Sequence, residues 1–463
     1  MIGVGLDFGT TNSAAAWYDG NDVHLVVLED DDAVMPTATH LDRELQTLTG
    51  TAAVNRYIDD NRDRIVELTP EVIAKSTLLT NAGNPDDPHS QAETETANVY
   101  GQPWIDRGMP GRLFRGVKRL LGNPAIRRLL VFDHPFRLVA LITPVLLRMR
   151  RSIERHLPER MDDVHFGHPV RFEGQENQLA FDRLTEACKH AGINQLTFYP
   201  EPVAATLSYL FGEKQSEEGC VLTVDFGGGT LDLSVIQYKG KNFSVLATTG
   251  LPVGGDHVDQ VIFRELLFPL LGKGERWRRV KDGVEIESEF PFEEYEDKLL
   301  NWAVTYILNQ NRYRSKIADR IREGGDAKEK FQRLQDLITH NYSYLVFQAI
   351  KNAKAELSSV EQTVIDVPEL DLEVEINRTM LEDLLAVMLM EIDDLITEVL
   401  KLSEQSPDDI DVVIRTGGSS QIAAVRRMLE RRFPDKVIEH DPFTSVAAGL
   451  AIASYHGYRF DVN

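Results

Sequence analysis

An alternating apolar run, GVGL, meets Asp7, breaks over Phe8, Gly9, Thr10 and Thr11, and resumes after Asn12 and Ser13 through residue 18. The same pattern returns in VLTVDFGGGTLDLSV (221–235), with Asp225, three glycines (Gly227, Gly228, Gly229), Thr230 and Asp232 at the break. A period of two on both sides of a glycine-bearing break predicts strand–turn–strand in each place. VHLVVLEDD (23–31) and FSVLATTG (243–250) read as a third short strand after each. Further along, VHFGHPVRF (164–172) and then LAFDRLTEACKHAG (179–192) read as a strand and an amphipathic helix. DVVIRTGG (411–418) and IAAVRRMLERRF (422–433) repeat that pair in the second half. Such an internal repeat predicts two similar α/β lobes that face one another.

The rest of the pattern is less regular. Residues 80–112 are polar and rich in Asn, Asp, Thr, Gly and Pro, and read as a surface excursion. Residues 272–330 alternate basic (GKGERWRRVKDG) and acidic (EFPFEEYEDK) blocks and read as a solvated helical insertion that offers a partner-binding surface. The stretch 331–359 predicts a helix to about Leu357. In 379–406, Thr379 and Glu382 form a capping box, and Leu381, Leu385, Met388, Ile392, Leu395 and Val399 line one helical face.

The chain has 463 residues, 42% apolar, enough for cores in two or more domains. Its net charge of −23 disfavours non-specific nucleic-acid or membrane binding. LVALITPVLL (138–147) is too short to cross a bilayer and contains Pro144. MIGVGLDFG has no basic n-region, so no signal peptide is expected. Two cysteines, Cys188 and Cys220, make neither a disulfide framework nor a metal site, and fit a reducing cytoplasm.

A plain hairpin needs at most two glycines. Three glycines beside an aspartate suit another task. Backbone N–H groups with no Cβ in the way cradle phosphate oxygens, and the carboxylate holds a hydrated Mg²⁺ against them. Two matched turns on facing lobes form a clamp for a polyphosphate. Glu201 precedes Pro202, at a strand-to-helix boundary.

GLDFGTTNS, DFGGGTLDLSV, YPEPVAATLSYL (199–210), VGGDHVDQV (253–261) and VIRTGGSSQIAAVRRML (413–429) follow one another in an order that resembles the ATPase domain of DnaK-type heat-shock chaperones. That family belongs to the actin-like ATPase superfamily, and length and inserts look most like its short YegD branch. The resemblance implies two ribonuclease-H-like lobes with a nucleotide cleft: lobe I over 1–217, inserted at about 40–137, lobe II over 218–440, inserted at about 265–378, and a C-terminal helix in 441–463 returning to lobe I. It implies ATP or ADP with Mg²⁺ held through water by Asp7 and Asp225. Amides around Gly9, Thr10, Thr11, Asn12, Gly227, Gly228 and Gly229 would cradle phosphates, Thr230 would orient the γ-phosphate, and Glu201, with Asp232 nearby, would position water. Gly254, Gly255 and Asp256 would approach ribose and phosphates; Gly417, Gly418 and Ser419 would pack on adenosine with Lys354 and Ser358.

Three departures qualify this. The family's phosphate-binding Lys falls at Ile105 here, with Arg107, Arg115 and Lys118 as nearby cations. The two adenine-stacking arginines fall at Ala355 and Gln421. No peptide-binding β-sandwich follows in this sequence. The expected activity is slow Mg·ATP hydrolysis by a monomer or weak oligomer that acts on an unidentified client or partner protein, with no nucleic acid or membrane involved. A non-catalytic nucleotide-sensing scaffold or an actin-like assembly protein is the alternative, favoured by the missing Lys; a sugar kinase lacks any acceptor motif.

Overall fold

The computed structural model describes residues 2–81, 93–157, 163–170, 172, 176–212, 217–281, 284–441 and 443–462. Two sheets carry the repeat. In the first, the strand order is Leu196–Pro200, Val164–His168, Gly3–Phe8, Asn12–Tyr18, Val23–Leu25. In the second it is Val437–Glu439, Val412–Thr416, Glu218–Phe226, Leu231–Lys239, Asn242–Leu251 and Arg459–Val462. In both, the central strand pairs parallel with one neighbour and antiparallel with the hairpin partner that follows it. Asp7 and Asp225 stand near the carboxyl ends of these central strands, where open α/β sheets offer a crevice to ligands. This mixed α/β architecture is the actin-like fold that the resemblance implies.

Close approaches of small residues fix the join between the sheets. The helix Ser445–His456 (SVAAGLAIASYH) lies directly on the first strand. A Cβ on Gly3 would stand 2.0 Å from the Ala451 carbonyl oxygen, and one on Gly5 2.2 Å from that of Ala447. Gly449 meets the helix Glu201–Gly212 in the same way, 1.8 Å from the Ala204 oxygen. A core of Ala14, Ala16, Val203, Ala204, Val221, Ile414 and Leu450 thus forms a floor under the space between the lobes. The chain then returns to the second sheet, where Arg459–Val462 runs parallel to Asn242–Val245.

A second join forms a roof. Ala53, Val54, Tyr57, Val66 and Met109 from the first half share one core with Trp302, Tyr306 and Leu308 from the second. Val66 N–H donates to Asn309 O at 2.9 Å, Asp63 N–H to Thr339 O at 3.0 Å, and Arg115 lies 5.0 Å from the Trp302 ring centre.

Several expected elements differ. The single helix to Leu357 is two, Lys328–Thr339 and Ser343–Glu356, because Asn341 turns the chain at φ 55°. The stretch 379–406 is also two helices, Arg378–Leu384 and Ala386–Leu402, and the cap is Asn377, whose Oδ1 accepts from Met380 N–H at 2.9 Å. Thr379 already lies inside that first helix. The insertion at 272–330 opens with a hairpin, Arg276–Lys281 with Val284–Glu289, rather than a helix. Arg276 stands opposite Glu289 and Arg278 opposite Glu287, and such cross-strand pairs stabilise a sheet. Most of the acidic block EFPFEEYEDK follows the hairpin, in the helix Glu293–Leu299. Part of the excursion at 80–112 lies outside the described residues; most of the remainder belongs to a long hairpin, Leu68–Asn81 with Glu93–Asp106, and Gly111 opens a further strand, Gly111–Arg115, that pairs with Ala38–Asp42.

Candidate functional site

Between floor and roof lies a cavity of about 200 Å³. Both turns line it: Asp7, Gly9, Thr10, Thr11 and Asn12 from the first, and Asp225, Gly227, Gly228, Gly229, Thr230 and Asp232 from the second. The two turns touch, since a Cβ on Gly228 would stand 2.9 Å from Thr11 Oγ1. Glu201, first residue of its helix, faces the same space. A Cβ on Gly227 would meet no protein atom within 3.7 Å, so the open space beside that turn is free for a ligand.

Four carboxylates therefore share a small space. Burial, then Glu201, pushes the Asp7 carboxyl up to about 7, against a smaller opposing pull from Lys118. Burial, then Asp232, Glu201 and Asp7, pushes Asp225 up to about 8. Desolvated like charges of this kind favour a cation between them. Among the described residues, no three His, Cys, Asp or Glu side chains are close enough to hold a metal directly. A hydrated ion, held through its waters, fits that spacing.

Lys118 is the cation that the sequence left open. It sits in a short 3₁₀ turn, Val117–Leu120, is 5% exposed, and lines the cavity with Nζ 2.7 Å from Glu201 Oε1. Of the cations left open beside Ile105, Lys118 is thus the one that lines the cavity. Arg115 is engaged in the roof, and Arg107 does not line the cavity. Ile105 lies on the strand Glu93–Asp106, and its side chain falls outside what is described. Arg119 was missed altogether: it lines the cavity and presses on the second turn, where a Cβ on Gly229 would lie 1.7 Å from its Nη2. The adjacent basic pair in VKRLLG was the only signal for it.

The remaining candidates divide. Gly417 and Gly418 line the cavity; Ser419 stands behind it, its hydroxyl donating to Gly227 O at 3.0 Å. Gly254, Gly255 and Asp256 do not line it. They brace the second turn from outside: Gly255 N–H donates to Gly227 O (3.0 Å) and Asp256 N–H to Gly228 O (2.7 Å). Lys354 also stands off the cavity, donating to buried Asp259 and to Gly255 O at 3.1 Å. The Ser358 hydroxyl donates to Ala355 O, within its own helix end. Neither Ala355 nor Gln421 lines the cavity, but Phe443 does, unforeseen from the sequence.

The family model described as Hsp70 protein matches residues 126–271 and 315–455, more than half of the chain. The chain belongs to the Hsp70 family. It is 24% identical to a chaperone protein dnaK of Emiliania huxleyi, over 99% of this chain and 61% of that protein. It is 26% identical to a ribosome-associated molecular chaperone of Zygosaccharomyces rouxii, over 97% of this chain and 60% of that protein. The chain thus spans about 60% of the length of these relatives. The matched segments of this Hsp70 include the second turn, the Glu201 helix, the Lys354 helix and the Gly417–Gly418 turn, while the first turn lies before them. Among its described residues no helix is long and apolar enough to cross a membrane.

Proposed function

We propose that this Hsp70-family chain binds Mg·ATP in the cavity and slowly hydrolyses it to ADP and phosphate, as a nucleotide-driven switch read by a client or partner protein. The observation that carries this reading is the meeting of both turns, four carboxylates and Lys118 around one cavity. Phosphoryl transfer needs positioning and charge neutralisation more than covalent help. Asp7 and Asp225 are suited to hold a hydrated magnesium ion, which supplies charge neutralisation at the phosphate oxygens. Turn amides around Gly9–Asn12 and Gly227–Gly229 cradle the phosphates, and the Thr230 hydroxyl orients the terminal one. Lys118 offsets charge that develops on the transferring group. Its contact with Glu201 also aims that carboxylate, which with Asp232 positions the attacking water. Support for a chaperone role comes from the relatives' names alone. We place the chain on the short YegD-like branch, as a cytoplasmic monomer or weak oligomer; its two free cysteines are buried, which fits a reducing compartment.

Lys118 in the cavity supports the hydrolytic reading over the non-catalytic scaffold. Single-turnover hydrolysis and direct binding test the proposal. Wild type should bind Mg·ATP and turn it over slowly. Asp225→Asn should abolish magnesium-dependent turnover. Lys118→Ala should leave binding within a few-fold and slow hydrolysis by roughly 100-fold, the scale for losing one preorganised charge-stabilising group. Binding without turnover in wild type would move the reading to a nucleotide sensor, and no binding would refute it.

A further inference from the structure

We propose that Phe443 is the stacking platform for the nucleobase, and so the residue that makes this site tolerant of different bases; the inference rests on the nucleotide reading above. Phe443 lines the cavity beside Gly417 and Gly418, the turn at which the family resemblance places adenosine. It is 49% exposed, so part of it is open to a ligand. The other phenylalanine lining the cavity, Phe172, is 7% exposed and packs edge-on against Phe181, so it has no free face to offer.

The ring is held, not loose. A Cβ at Gly418 would lie 3.0 Å from its Cε1 and Cζ, so the bare backbone of residue 418 touches one part of the ring. Its loop is tied down by Asp441, whose Oδ1 accepts from Phe443 N–H and Thr444 N–H, each at 3.1 Å. The helix Ser445–His456 starts immediately after. A rigid aromatic with half its surface open, at the mouth of a polar cavity, presents a flat apolar face to a planar ligand. The guanidinium planes that the family resemblance would supply fall at Ala355 and Gln421, which do not line the cavity. The ring is therefore the planar partner available at that end. Stacking on a ring accepts any base, since every base has a π-face. Discrimination between ATP and GTP should accordingly stay within about 10-fold.

Titration calorimetry with Mg·ATP and with Mg·tripolyphosphate separates the parts. Phe443→Ala should weaken ATP by roughly 5- to 100-fold, the range for one base–aromatic stack, and leave tripolyphosphate unchanged. Phe443→Leu, which keeps apolar bulk without the ring, should fall near the alanine variant. Phe443→Trp should restore ATP affinity, and its fluorescence should be quenched by ATP but not by tripolyphosphate. Equal ATP affinity in all four proteins, or equal losses for both ligands, overturns the stacking role and leaves the nucleotide reading intact. Failure of wild type to bind either ligand overturns the nucleotide reading and the stacking with it.

Discussion

Asp7 and Asp225 are held in a state that the fold alone disfavours. In an unfolded chain both would ionise near 3.8; in the folded, metal-free protein they hold their protons to about 7 and about 8, chiefly because they are buried. Between those limits the folded state binds more protons than the unfolded one, so stability falls as pH rises. The melting temperature of the metal-free protein should therefore drop from about pH 5.5 to about pH 8, and Mg·ATP should reverse the drop. Asp225→Asn removes one buried charge and should flatten the slope and raise the melting temperature at the alkaline end, although it abolishes turnover. A profile that stays the same in the variant would show that the cavity carboxylates do not drive it.

The glycine turn works as an element because a second element braces it. Gly254 has no room for a side chain: a Cβ there would lie 2.4 Å from Gly228 O and 2.5 Å from Gly229 N. Both are backbone atoms, so the turn itself must shift. Gly227 is the opposite case, with open space around its missing side chain. Gly254→Ala should lower stability by about 1–3 kcal/mol, the usual cost of overpacking, and weaken tripolyphosphate binding as the turn is displaced. Gly227→Ala should keep the melting temperature close to that of wild type and still lose phosphate affinity, because its methyl enters the space left for the ligand. Thermal melts and calorimetry on the pair test this; equal melting temperatures would show that the brace contributes nothing to stability.

At the scale of the whole molecule the cavity lies between two joins. The floor is a tight packing of alanines and glycines. The roof contains two cross-lobe backbone hydrogen bonds, the Arg115–Trp302 contact and a shared core around Tyr57. A nucleotide that leaves through an opened cleft has to break the roof first, since the floor is continuous with both sheets. Trp302→Ala removes a large ring at that join, and stopped-flow release of a fluorescent nucleotide should then speed up by about 10-fold or more, with binding strength reduced through the off-rate. Unchanged release would mean that the nucleotide escapes without parting the lobes.

The sequence by itself determined what local pattern can carry. Period-two runs ending on Asp7 and Asp225, with glycines after them, dictate strand–turn–strand, and their repetition dictates two like lobes. Glu201 before Pro202 marks a helix start, and that residue does begin a helix. Contacts between distant segments decided the rest. Whether Ile105, Arg107, Arg115 or Lys118 serves the site depends on which of them the fold carries to Glu201, 83 residues from Lys118 in the chain, and no local period encodes that meeting. The resemblance implies that Gly254 approaches ribose and phosphates and that Lys354 meets adenosine; packing engages both on the back of a turn. The basic block GKGERWRRVKDG reads as part of a solvated helical insertion until Arg276 and Arg278 stand across from Glu289 and Glu287 in a hairpin. No local pattern marks Phe443; the fold makes it a lining residue of the cavity. Short-range patterning fixes elements through backbone sterics and burial periodicity, whereas pairing between segments far apart in the chain is fixed by shape and charge that exist only once the lobes have met.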